Sequence, residues 1–192
     1  MSAMAAPRQT LPAGEADAVH RRHVVSALVV DRPGTLNRVS GLLRARSFNI
    51  ESLTVGTTHE PGKSRMTIAI RGDDGHLRQV LGQLERLIEV LEVTDLTSLP
   101  RIELELVLVE LDPPRTPAEE RAVQEILASA GGETLSTDAD QWRARLTAAP
   151  DVINHALDAL RGHGLRSLVR AGAVAMAAHP STPPQENGVT RA

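Results

Sequence analysis

The chain has 192 residues, enough for one medium domain or two small ones, of which 41% are hydrophobic and 23% charged. A formal charge of -3 gives no electrostatic case for nucleic acid or an anionic membrane, and Phe48 and Trp142 are too few aromatics for base-stacking platforms. The absence of cysteine excludes disulfides, thiolate metal sites and cysteine nucleophiles, and is consistent with a reducing cytoplasm.

Residues 1–21 are rich in alanine and polar side chains and carry Pro7 and Pro12, so they read as a disordered extension. A β-branched apolar run over 23–30 predicts a buried strand, broken by Asp31-Arg32-Pro33-Gly34. Leu36, Val39, Leu42 and Leu43 then share one helical face. Residues 48–55 alternate in part and 65–70 clearly, giving two strands. Leu77, Val80, Leu81, Leu84, Leu87 and Ile88 predict a second helix, with Asp73 or Asp74 as its N-cap, and 90–96 return to strand character. The order β-α-β-β-α-β over 22–98 predicts a ferredoxin-like sandwich of one antiparallel sheet and two helices.

The same order restarts after Pro100. Strict alternation over 102–111 predicts a half-buried strand. Thr116-Pro117-Ala118-Glu119 is a capping box with proline at the first helical position. Ala122, Val123, Ile126 and Leu127 supply that helix's apolar face and Gly131 its stop. A short strand is expected over 142–146, and a helix on Val152, Ile153, Ala156, Leu157 and Leu160. A last strand is expected over 165–176. The class is therefore α+β, with two ferredoxin-like units over 22–98 and 99–178. A polar tail over 179–192 reads as disordered. No apolar run approaches the ~18 residues of a membrane span, and a cytoplasmic protein is expected.

Few residues carry chemistry. Gly56 to Ser64 imitates a phosphate-binding loop, but five residues separate its glycines where the motif needs four. The segment also joins two strands, and Pro61-Gly62 suits the centre of a type II turn. His20 and His23 stand three apart with no third ligand nearby, which predicts surface or cap roles. No nucleophile, base and orienting group assemble, so no catalytic residue is expected. The informative stretch is Asp31 to Leu36, a tight turn at a helix N-terminus. Unpartnered amides and the helix dipole there suit a carboxylate, while Asp31 or Asn49 could accept from an ammonium group. An Asx turn that only starts a helix explains the same residues.

The block Phe48-Asn49-Ile50-Glu51-Ser52-Leu53, preceded by Pro33-Gly34 and followed by Ser64-Arg65-Met66-Thr67, closely resembles the signature of the regulatory, or small, subunits of acetohydroxyacid (acetolactate) synthase. The resemblance is dense over 23–98, where that family has an ACT domain, and looser over 101–178. It implies a non-catalytic subunit that binds no cofactor itself and partners a separate catalytic (large) subunit, on which thiamine diphosphate, Mg and FAD are expected. It further implies side-by-side ACT homodimers, an activating role, and feedback by a branched-chain amino acid, usually valine, in valine, leucine and isoleucine biosynthesis. Carried over by position, Asp31, Gly34, Thr35 and Leu36 would form the loop side of the effector pocket. Asn49 and Ile50 would close it from the neighbouring chain. Two departures stand out: the family commonly has asparagine where Asp31 stands, and a small apolar residue in place of Thr35. A freestanding ACT module regulating another enzyme is the alternative reading.

Overall fold

A computed structural model describes residues 21–45 and 49–178. They form two four-stranded antiparallel sheets, each covered on one face by two helices. The first contains β1 (Arg21–Val30), α1 (Thr35–Ala45), β2 (Asn49–Thr57), β3 (Lys63–Gly72), α2 (Asp74–Leu84) and β4 (Val90–Asp95). The second contains β5 (Arg101–Leu111), α3 (Pro117–Ser129), β6 (Glu133–Thr137), β7 (Trp142–Ala148), α4 (Pro150–Arg161) and β8 (Leu165–Ala177). Strand orders are β2-β3-β1-β4 and β6-β7-β5-β8, the same arrangement twice. The expected pair of ferredoxin-like sandwiches is the observed fold.

Alternation explains each core. Val25, Ala27 and Val29 of β1 meet Met66, Ile68 and Ile70 of β3 beneath α1 and α2. In the second unit Val107, Val109 and Leu111 meet Ala144 and Leu146 beneath α3 and α4. Each fully buried leucine or isoleucine, such as Leu43 or Ile153, contributes about 1.5–3 kcal/mol of transfer free energy.

Local signals explain the ends of elements. The Asp73 carboxylate accepts from the His76 amide at 2.8 Å, making Asp73 rather than Asp74 the cap of α2. The Thr116 hydroxyl oxygen accepts from the Glu119 amide, while the Glu119 carboxylate reaches the Arg115 amide, one residue before the cap. After α3, the Gly132 amide donates to the Leu127 carbonyl at 2.7 Å and the Gly131 amide to that of Ala128. With Gly131 at φ +58°, this is a Schellman stop. Gly62, at φ +78° with the Lys63 amide donating to the Glu60 carbonyl, makes the type II turn of the β2–β3 hairpin.

Several expectations are corrected. The second helix ends at Leu84: the amides of Arg86 and Leu87 turn back to the carbonyls of Gln83 and Leu84. Leu87 still packs on the core but Ile88 is 85% exposed. The β6 strand was not visible in the sequence. His23 is no surface residue: it is fully buried on β1, its Nε2 2.9 Å from the Gly72 carbonyl and therefore the protonated nitrogen. The first strand begins at Arg21, paired with Gly72, two residues ahead of its expected start at 23. His20, Phe48 and the expected extension before Arg21 and tail from His179 lie outside the described residues.

The two units are joined through the helix-free face of the first sheet. The later half of β8 crosses it, so that Ala175 packs on Val24 and Leu96. The Ala175 amide donates to the Thr67 hydroxyl at 3.4 Å, the Ala173 amide to the Ser52 hydroxyl at 3.5 Å, and the Thr54 hydroxyl to the Ala171 carbonyl at 3.4 Å. Gly172 is required at this crossing: its φ is +83°, and a Cβ would stand 2.8 Å from the Thr54 hydroxyl.

Candidate effector site

At the end of β1 the Asp31 amide donates to the Gly62 carbonyl at 2.8 Å, tying the outgoing chain to the β2–β3 turn. Arg32-Pro33-Gly34-Thr35 is itself a type II turn, with Gly34 at φ +91° and the Thr35 amide donating to the Arg32 carbonyl at 3.2 Å. The Gly34 carbonyl accepts the Arg38 amide, the first bond of α1. Among the described residues the Leu36 and Asn37 amides have no acceptor. They are the unpartnered donors at the positive end of the helix. A Cβ on Gly34 would meet nothing within 4 Å, so the space beside the turn at Gly34 is open.

The side chains divide by direction. Thr35 is 4% exposed, and its hydroxyl donates to the Val30 carbonyl at 3.0 Å, bracing the turn from inside. Leu36 is 47% exposed and presents an apolar surface beside the free amides. The Asp31 carboxylate is exposed and has no ion partner among the described residues.

Asn49 and Ile50 are not close to this loop. Asn49 pairs with Arg71, which stands across from Arg22, whereas the loop leaves from Val30, across from Lys63. The two positions are eight residues apart along β3, about 26 Å at ~3.3 Å per residue. A single chain therefore brings Asp31, Gly34, Thr35 and Leu36 together and holds Asn49 and Ile50 at the opposite end of the sheet.

Residues following Asn49 and Ile50 do something the sequence did not announce. Glu51 accepts from Arg22 at 3.0 Å and from Arg71 at 3.1 Å. Arg22 also reaches Glu103 of β5 at 2.6 Å, and Arg101 donates to Glu103 at 2.9 Å. Burial by itself would raise the Glu103 carboxyl, but the bonds from Arg22 and Arg101 outweigh it and hold the group below the usual glutamate range. Farther along, Arg170 of β8 pairs with Glu105 and Asn154. Three residues of the signature blocks serve the seam between units: Ser52 and Thr67 accept from amides of β8, and Glu51 holds Arg22, which reaches Glu103. The only sequence signal for this was the blocks themselves. Among the described residues no group of three His, Asp or Glu is arranged to hold a metal ion, and no helix is long and apolar enough to cross a membrane.

A tandem ferredoxin-like chain with a Pro-Gly turn and open amides at its first helix has the architecture of an ACT-type regulatory protein. Two family descriptions match it: the AHAS small subunit-like ACT domain over residues 25–92, and the small subunit of acetolactate synthase over 104–179. The acetolactate synthase small subunit of Aquifex aeolicus is 36% identical over 167 residues, covering 87% of this chain and 86% of its own length. The probable acetolactate synthase small subunit of Archaeoglobus fulgidus is 38% identical over 155 residues, covering 81% and 96%. The crystal structure of the small subunit from Thermotoga maritima superposes with a TM-score of 0.72 at 31% identity, covering 82% of this chain and 97% of that one. This chain belongs to the acetolactate synthase small-subunit family.

Proposed function

We propose that the chain is a non-catalytic regulatory subunit. It activates a thiamine-diphosphate-dependent acetolactate synthase catalytic subunit and confers feedback by a branched-chain amino acid, valine first. The observation that carries this reading is the open turn before the free Leu36 and Asn37 amides, together with its distance from Asn49 and Ile50.

A zwitterion suits the turn. The two amides and the helix dipole hold its carboxylate, Gly34 leaves room for its approach, and Asp31 accepts from its ammonium group. Leu36 offers cover to a branched side chain. Burying such an isopropyl group yields about 1.5–3 kcal/mol. The Asp31 carboxylate attracts the ammonium but repels the ligand's carboxylate, so affinity rests on the amides outweighing that repulsion. Asn49 and Ile50 complete the pocket only from a second chain. Antiparallel pairing of two β2 edges about a two-fold axis sets the Asn49 end of one strand beside the Thr57 end of the other. That is the end of the sheet at which the 31–36 turn stands. A ligand shared by two chains biases their interface, and a coupling of about 1–3 kcal/mol suffices for useful inhibition.

Calorimetry with valine, leucine and isoleucine tests this reading. Heat of binding is expected from at least one, strongest for valine; no heat from any of them rejects it.

A further inference from the structure

Of the block Ser64 to Thr67, Ser64, Met66 and Thr67 are buried and Arg65 alone is exposed. It stands on the helix-free face of the first sheet, where register sets three strands in a row. Leu28 of β1 pairs with Arg65 of β3 on one side and with Glu92 of β4 on the other. Residues paired across strands share a face, so two opposite charges flank an apolar floor, their Cα atoms about 10 Å apart at two strand spacings. In the next row Ser26 lies between Thr67 and Thr94. The tip of the β2–β3 hairpin and the end of β8 wall this floor and leave a cavity of about 350 Å³, a volume ordinary for a small-ligand site.

The polar groups of the cavity have bonding capacity left over. Among the described residues Arg65 makes one hydrogen bond, to the Ser26 hydroxyl oxygen at 3.0 Å, and no ion pair, although a guanidinium has five N–H donors. Glu92 accepts from the Thr94 hydroxyl at 3.1 Å and has no cation partner among the described residues. Ser26 is 3% exposed, and its own proton has no acceptor there. The other carboxylate on the wall, Glu60, is held by Lys63. The rest of the lining is largely apolar, with Leu28 and Leu96 from the first unit and Ala175 and Met176 from β8. A lone anion placed here would face Glu92, and a lone cation would face Arg65. A molecule that carries both charges close together satisfies both, and an aliphatic group on it suits the floor and the β8 wall.

We propose that this cavity binds an aliphatic α-amino acid. Its carboxylate lies between Arg65 and the Ser26 hydroxyl, its ammonium group on Glu92, and its side chain against Leu96 and Met176. The site is separate from the Gly34 turn, where α1 starts on the opposite face of the sheet, and does not rest on that reading. Because Ala175 and Met176 belong to the second unit, a ligand held here touches both units at once.

Met176 supplies a reporter. The chain has four methionines; of the two described, Met66 is in the core and Met176 lines the cavity. Full-length protein labelled with methyl-13C methionine is titrated with leucine, the Met176 signal being assigned by its loss in Met176→Leu, and calorimetry follows the same titration. The Met176 resonance is expected to shift saturably, in Gly34→Asp as in the unsubstituted chain. Arg65→Gln and Glu92→Gln change exposed side chains and keep their circular dichroism spectra, and each weakens the titration about tenfold or more. So does replacing leucine with 4-methylpentanoate, which lacks the ammonium group, or 3-methylbutylamine, which lacks the carboxylate. A resonance that stays still while calorimetry registers leucine or valine overturns the proposal and leaves the Gly34 turn as the site. A shift that Arg65→Gln and Glu92→Gln leave unchanged also overturns it. A shift weakened by those two variants, with all heat indifferent to Gly34→Asp, upholds the cavity and sinks the reading of the turn. No shift and no heat overturn both.

Discussion

Replacing Glu103 with glutamine tests how the two units are held together. The Glu103 side chain is 9% exposed, forms an ion pair with Arg22 at 2.6 Å and accepts a hydrogen bond from Arg101 at 2.9 Å. Glutamine keeps the volume but removes the charge and turns an amide N–H₂ group toward two guanidinium groups. Charge-assisted bonds are worth about 1.5–3 kcal/mol each, and removing one partner of a fully buried pair costs about 3–5 kcal/mol. Arg22 and Arg101 are 21% and 26% exposed and regain water, which lowers the expected cost. A loss of about 2–3 kcal/mol remains, a Tm drop of roughly 5–10 °C for a chain of this size. The pH dependence has a definite sign. Because the folded-state pKa of Glu103 is depressed, its contribution is complete above the unfolded value and is lost as pH falls through the folded one. Calorimetric scans of both proteins should therefore differ most near neutral pH and converge as the pH falls through the depressed folded-state value. Equal midpoints near neutrality, or a gap that widens on acidification, would refute the reasoning.

Other substitutions probe single features. Gly34→Asp puts a carboxylate where the effector's own is expected. Holoenzyme assays should show feedback weakened and activation largely kept, and joint loss of both would mean the turn serves folding alone. Gly172→Val forces a β-branched residue to φ +83° and against Thr54. A destabilisation of about 1–3 kcal/mol is expected, with faster amide exchange at residues 171–175; unchanged protection would contradict the seam. His23→Leu deprives the Gly72 carbonyl of its buried donor and should cost about 1–3 kcal/mol in urea unfolding. A neutral result would place His23 outside the accounting of buried polar groups.

Much of this architecture was readable one element at a time. The alternation of β5, the apolar face of α4 and the Pro-Gly turns at Gly34 and Gly62 are local properties, and the structure has them where the residues placed them. Two errors were local as well. Leu87 continues the helical period although the backbone has left the helix, because the core accepts its side chain from a turn. The β6 strand has five residues, a register shift and an outward Leu135 at 52% exposure, which erases its alternation. What stayed hidden was long-range. No periodicity states that Glu51 shares Arg22 with Glu103, or that Ser52 meets an amide 121 residues away. The buried state of His23 likewise depends on Gly72, its partner across the sheet. At the proposed pocket the turn was legible. The separation of Asn49 from it follows only once the strand register is known.

The most direct test of the regulatory account is the rate of acetolactate formation by the catalytic subunit, with and without this chain, each with and without valine. The account requires a higher rate when the chain is added and a fall when valine follows, with no such fall in its absence. A rate indifferent to the chain, or a response to valine that does not depend on it, would contradict the account.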